Sequence, residues 1–281
     1  MPRSSHTLNR TEPGSFGIAY HRAMPDVLYE LRGSVAWITI NRPERRNAMS
    51  AGVLRGLCHS LESASKDQGV RAVVLTGAGD RAFSAGADLT GMGPGDSAIT
   101  AHDARGLLAD VFRRLWRLGK PSVARVRGYA LAGGFGLALA CDFVIAASDA
   151  QFGTPEINVG LWPYMITVPL VRSMPACYAL ELMATGRRVG ADEAAHIGFV
   201  NRVVSIEDLD STVGQFTAQL AAKSPLIMRL GRQSFYGVLG MDSDAALDYL
   251  QSMLTVTASS EDTAEGLAAF TEKREPQWRG R

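Results

Sequence analysis

The residues best suited to chemistry lie in "YALAGGFGLALACD", residues 129–142, and in "FGTPE", which ends at Glu156, twenty residues beyond Gly136. The first stretch begins with small residues, where backbone can approach a ligand closely, and continues as an apolar run. A second small-residue loop, "AFSAGADL" at 82–89, also ends an apolar strand. Amides at a helix N-terminus have no intrahelical partners and sit at the positive end of the helix dipole. Two such loops side by side can aim two amides at one oxygen and stabilise charge that develops only during a reaction. The same residues also suit ordinary tight turns, with glycine supplying positive φ or close packing. Neither loop has the Gly-Lys-Ser/Thr ending of a P-loop, and Ser84 stands in "FSAG" rather than in the G-x-S-x-G of a hydrolase elbow. Glu156 is either a proton carrier beside such an anion site or a structural carboxylate that follows Pro155 and caps a turn.

These groups need a scaffold. "VAWITI" (35–40) alternates and is β-branched, which predicts a strand ended by "NRP". Ser50 then precedes a segment with Val53, Leu54, Leu57 and Leu61 at helical spacing, a helix with Ser50 as N-cap. "RAVVLTG" (71–77) reads as a buried strand, "DRAFSAGADLTGMGPGD" (80–96) as a long loop, and "DARGLLADVFRRLWRLG" (103–119) as a helix ended by Gly119-Lys120-Pro121. "SVARVRG" is a strand, "GFGLALA" a short apolar helix and "CDFVIAAS" a strand again. This alternation predicts α/β layers over 35–148. From Tyr164 onward the pattern is helical apart from "GFVNRVV" (198–204). The expected division is an N-terminal extension (1–24), an α/β core (25–205) and a helical C-terminal region (206–281).

The 281 residues carry a net charge of +1, so a nucleic-acid surface spread over the molecule is not expected. Three cysteines and five histidines show neither disulfide nor metal-ligand spacing. No apolar run approaches the roughly 18 residues of a membrane span. Residues 1–24 hold three arginines, one acid and no signal core, which leaves cytoplasmic placement as the expectation, with a transit segment as the alternative.

Six ordered segments between about residues 27 and 276 carry a resemblance: "RPERRNAM" (42–49), "AFSAGADL", "GYALAGGFGLALACDFVIA" (128–146), "AQFGTPEINVGL" (150–161), "TGRRVGADEAAHIGFVNRVV" (185–204) and "FTEKREP" (270–276). They resemble the successive motifs of the enoyl-CoA hydratase/isomerase, or crotonase, family. The resemblance implies an α/β fold of the ClpP/crotonase-like kind: a superhelix of strand-strand-helix turns followed by trimerising C-terminal helices. It further implies an acyl-CoA thioester substrate, no cofactor beyond the coenzyme A of that substrate, and a homotrimer or dimer of trimers, with no nucleic-acid or membrane partner. By position, the oxyanion donors are the amides of Ala87 and Gly133. CoA contacts fall on Arg45 and Arg46, on Ala85 and Asp88 as neighbours, and on Phe270 and Lys273 of an adjacent subunit. Solvated surface charge is the alternative for both arginines and for Lys273.

One departure matters for chemistry. Hydratases of the family it resembles carry a Glu at the position occupied here by Gly136 and a second at the position of Glu156, and here only the second is present. Adding water to a 2-enoyl thioester takes one proton from water and delivers another to the α-carbon, a task suited to two carboxylates. Moving a 3-enoyl double bond to the 2-position needs one proton removed at C2 and returned at C4, which one buried carboxylate can perform. Isomerisation through Glu156 is therefore the leading expectation, hydration the alternative, and an inactive acyl-CoA binder the second alternative. Gly136→Glu alone is expected to introduce hydration. Asp142 is expected to pack and hydrogen-bond rather than move protons. After Glu156 the chain reads "LWPYMITVPL", so Trp162, Tyr164 and Met165 are candidates for pocket wall or for core, and Trp162 is taken as acyl-pocket lining.

Overall fold

The structure is a computed structural model and describes residues 25–88 and 98–281. The expected N-terminal extension and the end of the expected loop at 80–96 lie outside the described residues. Strand β1 (Val27–Arg32) pairs antiparallel with β2 (Val35–Ile40), followed by α1 (Ala51–Lys66). Each succeeding turn of chain supplies one strand to a large sheet and one to a small sheet. β3 (Ala72–Gly77) is followed by β4 (Ala82–Ser84) and α2 (Ala98–Trp116). β5 (Ser122–Val126) is followed by β6 (Tyr129–Leu131) and α3 (Gly133–Ala140), and β7 (Phe143–Ala147) by β8 (Gln151–Gly153). Next come α4 (Thr167–Ser173), α5 (Ala176–Thr185), β9 (Arg188–Gly190), α6 (Ala191–Ile197) and β10 (Arg202–Val204). The remaining helices are α7 (Leu209–Ala221), α8 (Pro225–Val238), α9 (Ser243–Ala258) and α10 (Glu261–Glu272). The large sheet has the order β1-β2-β3-β5-β7-β10 and the small one β4-β6-β8-β9. This is the strand-strand-helix superhelix that the resemblance implies.

The central strands β2, β3, β5 and β7 of the large sheet are buried on both faces, which explains their continuous apolar runs. Ala36, Ile38, Val73, Leu75, Ala124 and Val144 face the main core, formed with α1, α2 and α3. The alternate residues Val35, Trp37, Ala72, Val74, Val123 and Ile145 face a second core with Leu209 and Val213 of α7. Ser50 caps α1 by accepting from the Val53 amide at 3.2 Å. Helix α2 begins at Ala98, earlier than the residue expected from the sequence, and β4, β6, β8 and β9 are strands that the sequence pattern did not reveal.

Asp142, just before β7, holds α8 on the core. It accepts from Arg232 Nε and Nη2, both at 2.8 Å, from the Tyr236 hydroxyl at 2.6 Å and from the Ser122 amide at 2.7 Å. Burial and the adjacent Asp142 raise the Tyr236 pKa, so its hydroxyl remains a donor. The Arg232 and Asp142 side chains are only 8% and 9% exposed. Removing one member of so dry a pair strands the other charge. Arg232→Ala is expected to lower unfolding stability by about 3–5 kcal/mol in a urea titration. Asp142 is committed to this anchor, as its sequence position suggested.

Candidate active site

Three loops leave one edge of the small sheet. β4 and β6 run parallel with Ser84 opposite Ala130, and β6 and β8 run parallel with Leu131 opposite Gly153. The Ala132 amide donates to Gly153 O at 2.9 Å. The segments beginning at Ala85, Ala132 and Thr154 therefore emerge together from the carboxyl ends of adjacent parallel strands, where open α/β sheets form ligand sites. This brings Ala87, Gly133 and Glu156 to the same edge although they are far apart in sequence.

The Ala87 amide is turned outward by its neighbours. Met49 N donates to Gly86 O at 2.8 Å and Asp88 N donates to Met49 O at 3.1 Å, a parallel bridge that opposes Met49 and Ala87. Ala87's own N–H then points away from Met49, as alternation along extended chain requires. Gly86, at φ 96°, lies against the second loop: an added Cβ would be 2.6 Å from Ala132 Cβ and 3.3 Å from the Gly133 amide nitrogen. Only glycine fits there. Gly133 is the first residue of α3, so its amide has no intrahelical acceptor. Among the described residues neither the Ala87 nor the Gly133 amide has a partner. Ala132, which precedes Gly133, has φ 52° and ψ −131°, a conformation costly for a residue with a Cβ. Met49 and Leu108 crowd the same spot, with Met49 Cε 3.1 Å from where a Gly133 Cβ would stand.

Glu156 lies in a short 3₁₀ turn, Pro155–Val159, stopped by Gly160 in the left-handed region. Its Oε2 is buried without a hydrogen-bond partner among the described residues. Desolvation holds the Glu156 carboxyl above its ordinary pKa, opposed in part by a backbone hydrogen bond. It is half-buried, and a carboxyl perturbed by desolvation in this way is a candidate functional group.

The space at Gly136 is occupied. A Cβ built there would collide with Ile166 Cγ2 and would be 2.7 Å from Ile166 Cβ and 3.2 Å from Phe112 Cζ. The expectation that Gly136→Glu alone introduces hydration is therefore corrected: the side chain has no room. Ile166 (2% exposed) and Phe112 (2% exposed) were not singled out in the sequence, because a contact between positions so far apart leaves no periodic signal. Trp162 is half-buried against the main core, whereas Tyr164 is 77% exposed.

The other candidates fall around this edge or away from it. Arg45 ends a 3₁₀ turn, Pro43–Arg45, and Arg46 follows at φ 51°; both are exposed, and Arg46 O accepts the Ala85 amide at 3.0 Å. Asp88 accepts from Arg42 Nη1 at 2.9 Å, and the same nitrogen donates to Ala48 O at 2.8 Å. Arg42 and the buried Asn47 thus brace the loop, roles not assigned from the sequence. Phe270 is 85% exposed on α10, and Lys273 ends that helix at φ 54°. Helix α10 packs on α9. Among the described residues no cluster of His, Cys, Asp or Glu could hold a metal ion, and no helix is long and apolar enough to cross a membrane.

The comparisons identify the family. The family model for enoyl-CoA hydratase/isomerase matches residues 30–281. Short-chain-enoyl-CoA hydratase of Clostridium acetobutylicum is 36% identical over 89% of this chain and 95% of its own length. 2,3-Dehydroadipyl-CoA hydratase of Escherichia coli is 35% identical over 92% of this chain and 100% of its own. The crystal structure of an enoyl-CoA hydratase from Mycobacterium smegmatis superposes with a TM-score of 0.87 at 34% identity, covering 91% of this chain and 99% of that one. The fold built of strand-strand-helix turns and the match over nearly the whole length together establish that the chain belongs to the enoyl-CoA hydratase/isomerase (crotonase) family.

Proposed function

We propose that the protein acts on acyl-CoA thioesters with Glu156 as its sole proton carrier, and that it shifts a double bond from the 3- to the 2-position of an enoyl-CoA. The observation that carries this reading is the filled space at Gly136, where Ile166 and Phe112 stand in place of a second acid and the water it would hold. The ionised Glu156 takes a proton from C2 of the 3-enoyl thioester. The electron pair moves into the carbonyl, giving a dienolate whose oxygen accepts hydrogen bonds from the Ala87 and Gly133 amides. Protonated Glu156 then returns the proton to C4, leaving the double bond between C2 and C3. Nothing is consumed, and each step uses the chain's own groups.

Hydration is the second reading, and the comparisons favour it: both relatives described above are named hydratases. In that reading Glu156 alone takes the proton from water, the oxygen adds at C3, and the same carboxyl delivers a proton to C2. The exposed Phe235, Leu247, Leu254, Leu267 and Phe270 on α8, α9 and α10 support assembly through 206–281 into a homotrimer or dimer of trimers. Such an assembly would bring Phe270 and Lys273 of one subunit to another's CoA, joined there by Arg45, Arg46, Ala85 and Asp88.

Product analysis separates the readings. Purified protein is given a 3-enoyl-CoA and a 2-enoyl-CoA in separate reactions, and products are identified by chromatography and mass. Conversion of the first to its 2-enoyl isomer, without 3-hydroxyacyl-CoA from the second, is the expected result. Rapid formation of 3-hydroxyacyl-CoA would make hydration the function. Binding of both without turnover would identify an acyl-CoA binder.

A further inference from the structure

We propose that Ser84 is a positioning residue that sets the spacing of the two oxyanion donors. Its side chain is fully buried, so both of its hydrogen bonds must be made within the protein. The hydroxyl donates to Asn47 O at 2.8 Å and accepts from the Gly86 amide at 3.3 Å. The second bond fixes the residue immediately before Ala87. The first ties it to Asn47, itself buried at φ 55° and clamped by three further bonds. Asn47 Oδ1 accepts the Arg42 amide at 3.0 Å, and Nδ2 donates to Ala78 O at 2.9 Å and Ala82 O at 2.7 Å. The backbone of Ser84 also forms the seat of the other donor loop. A Cβ at Gly134, the residue after Gly133, would collide with Ser84 O and stand 2.8 Å from Ser84 Cβ. One serine thus holds the first donor loop with its hydroxyl and supports the second with its backbone.

Donating to Asn47 O, the hydroxyl is not set up as a nucleophile, in keeping with the missing hydrolase elbow. Its contribution is geometric. Oxyanion donors act only when they lie at hydrogen-bond distance from the developing charge, and a displacement of about 1 Å can cost up to about 100-fold in rate. The inference rests on the acyl-thioester reading of the site but is independent of which reaction follows.

The test uses the full chain, Ser84→Ala, and a saturated acyl-CoA labelled with carbon-13 at the thioester carbonyl. In the wild type the bound carbonyl stretch is expected to move to lower frequency, as donors polarise it. In Ser84→Ala that displacement should shrink and kcat should fall by about 10- to 100-fold, with the affinity for the saturated ester changed less than about twofold. A variant that is merely less stable, with wild-type kcat and carbonyl band well below its melting temperature, would overturn the proposal. Ser84→Cys keeps a weak donor and acceptor in case the alanine variant fails to fold. It should fall below wild type in both readouts, and equality with wild type in both would also overturn the proposal. An unshifted carbonyl in the wild type would instead remove the acyl-thioester reading itself.

Discussion

Glu156→Gln is expected to reduce turnover by roughly 10²–10⁴-fold, the range general acid–base catalysis contributes, while leaving acyl-CoA affinity within about twofold. The loss should lie at the upper end, because Ile166 and Phe112 fill the space at Gly136 where a second acid would stand. The pH dependence has a definite sign. Glu156 works as a base only when ionised, and burial raises its pKa, so the acidic limb of kcat/KM should lie above the ordinary carboxylate range. The stability linkage runs the same way. A carboxyl with a folded pKa above its unfolded value contributes stability that is present below the unfolded pKa and lost as pH rises through the folded one. Glutamine is neutral throughout, so Glu156→Gln should be at least as stable as wild type at pH 8, with the gap narrowing as pH falls. Thermal melts at several pH values would check this beside the rate measurements. Equal activity in the variant would remove Glu156 from the mechanism.

The second large effect concerns Gly136. Gly136→Glu alone is expected to yield a strained protein without hydratase activity, since overpacking a filled core costs about 1–3 kcal/mol. Combining it with Ile166→Gly opens the space, and alanine would not serve because Ile166 Cβ itself stands 2.7 Å from the new Cβ. The double variant should add water to a 2-enoyl-CoA about 100-fold faster than the parent, the lower end of what one positioned acid or base supplies. Formation of 3-hydroxyacyl-CoA is the measurement. A folded double variant with no gain would show that a second carboxylate is not what the parent lacks. A parent that already hydrates rapidly would favour the reading suggested by its relatives' names.

The sequence made β2, β3, β5 and β7 of the large sheet legible, missed β1 and left the small sheet nearly invisible. Val73, Val74 and Leu75 are buried on both faces and therefore read as an apolar run closed by a glycine. Strands β4, β6, β8 and β9 have three residues each, too short for any periodicity to register. Yet the small sheet is the one that brings the Ala87 and Gly133 loops to the same edge as Glu156. Ala87, Gly133 and Glu156 were named through family resemblance, since nothing in composition separates a donor loop from a tight turn. Ile166 was hidden among apolar residues that suit either a wall or a core. Its meaning arises from one contact across the fold, with Gly136 directly beneath it.

The parallel edge formed by β4, β6 and β8 also has a consequence for how the enzyme comes into being. Parallel neighbours cannot be joined by hairpins, so each pairing must wait for an intervening helix and strand to be laid down. Contacts between distant parts of a chain pay their loop-closure entropy before they are rewarded, and such sheets mature slowly. Helices such as α1, with its own serine cap, need no such wait. During refolding, helical signal should therefore return ahead of catalysis, and the first competent turnover marks the closing of that edge.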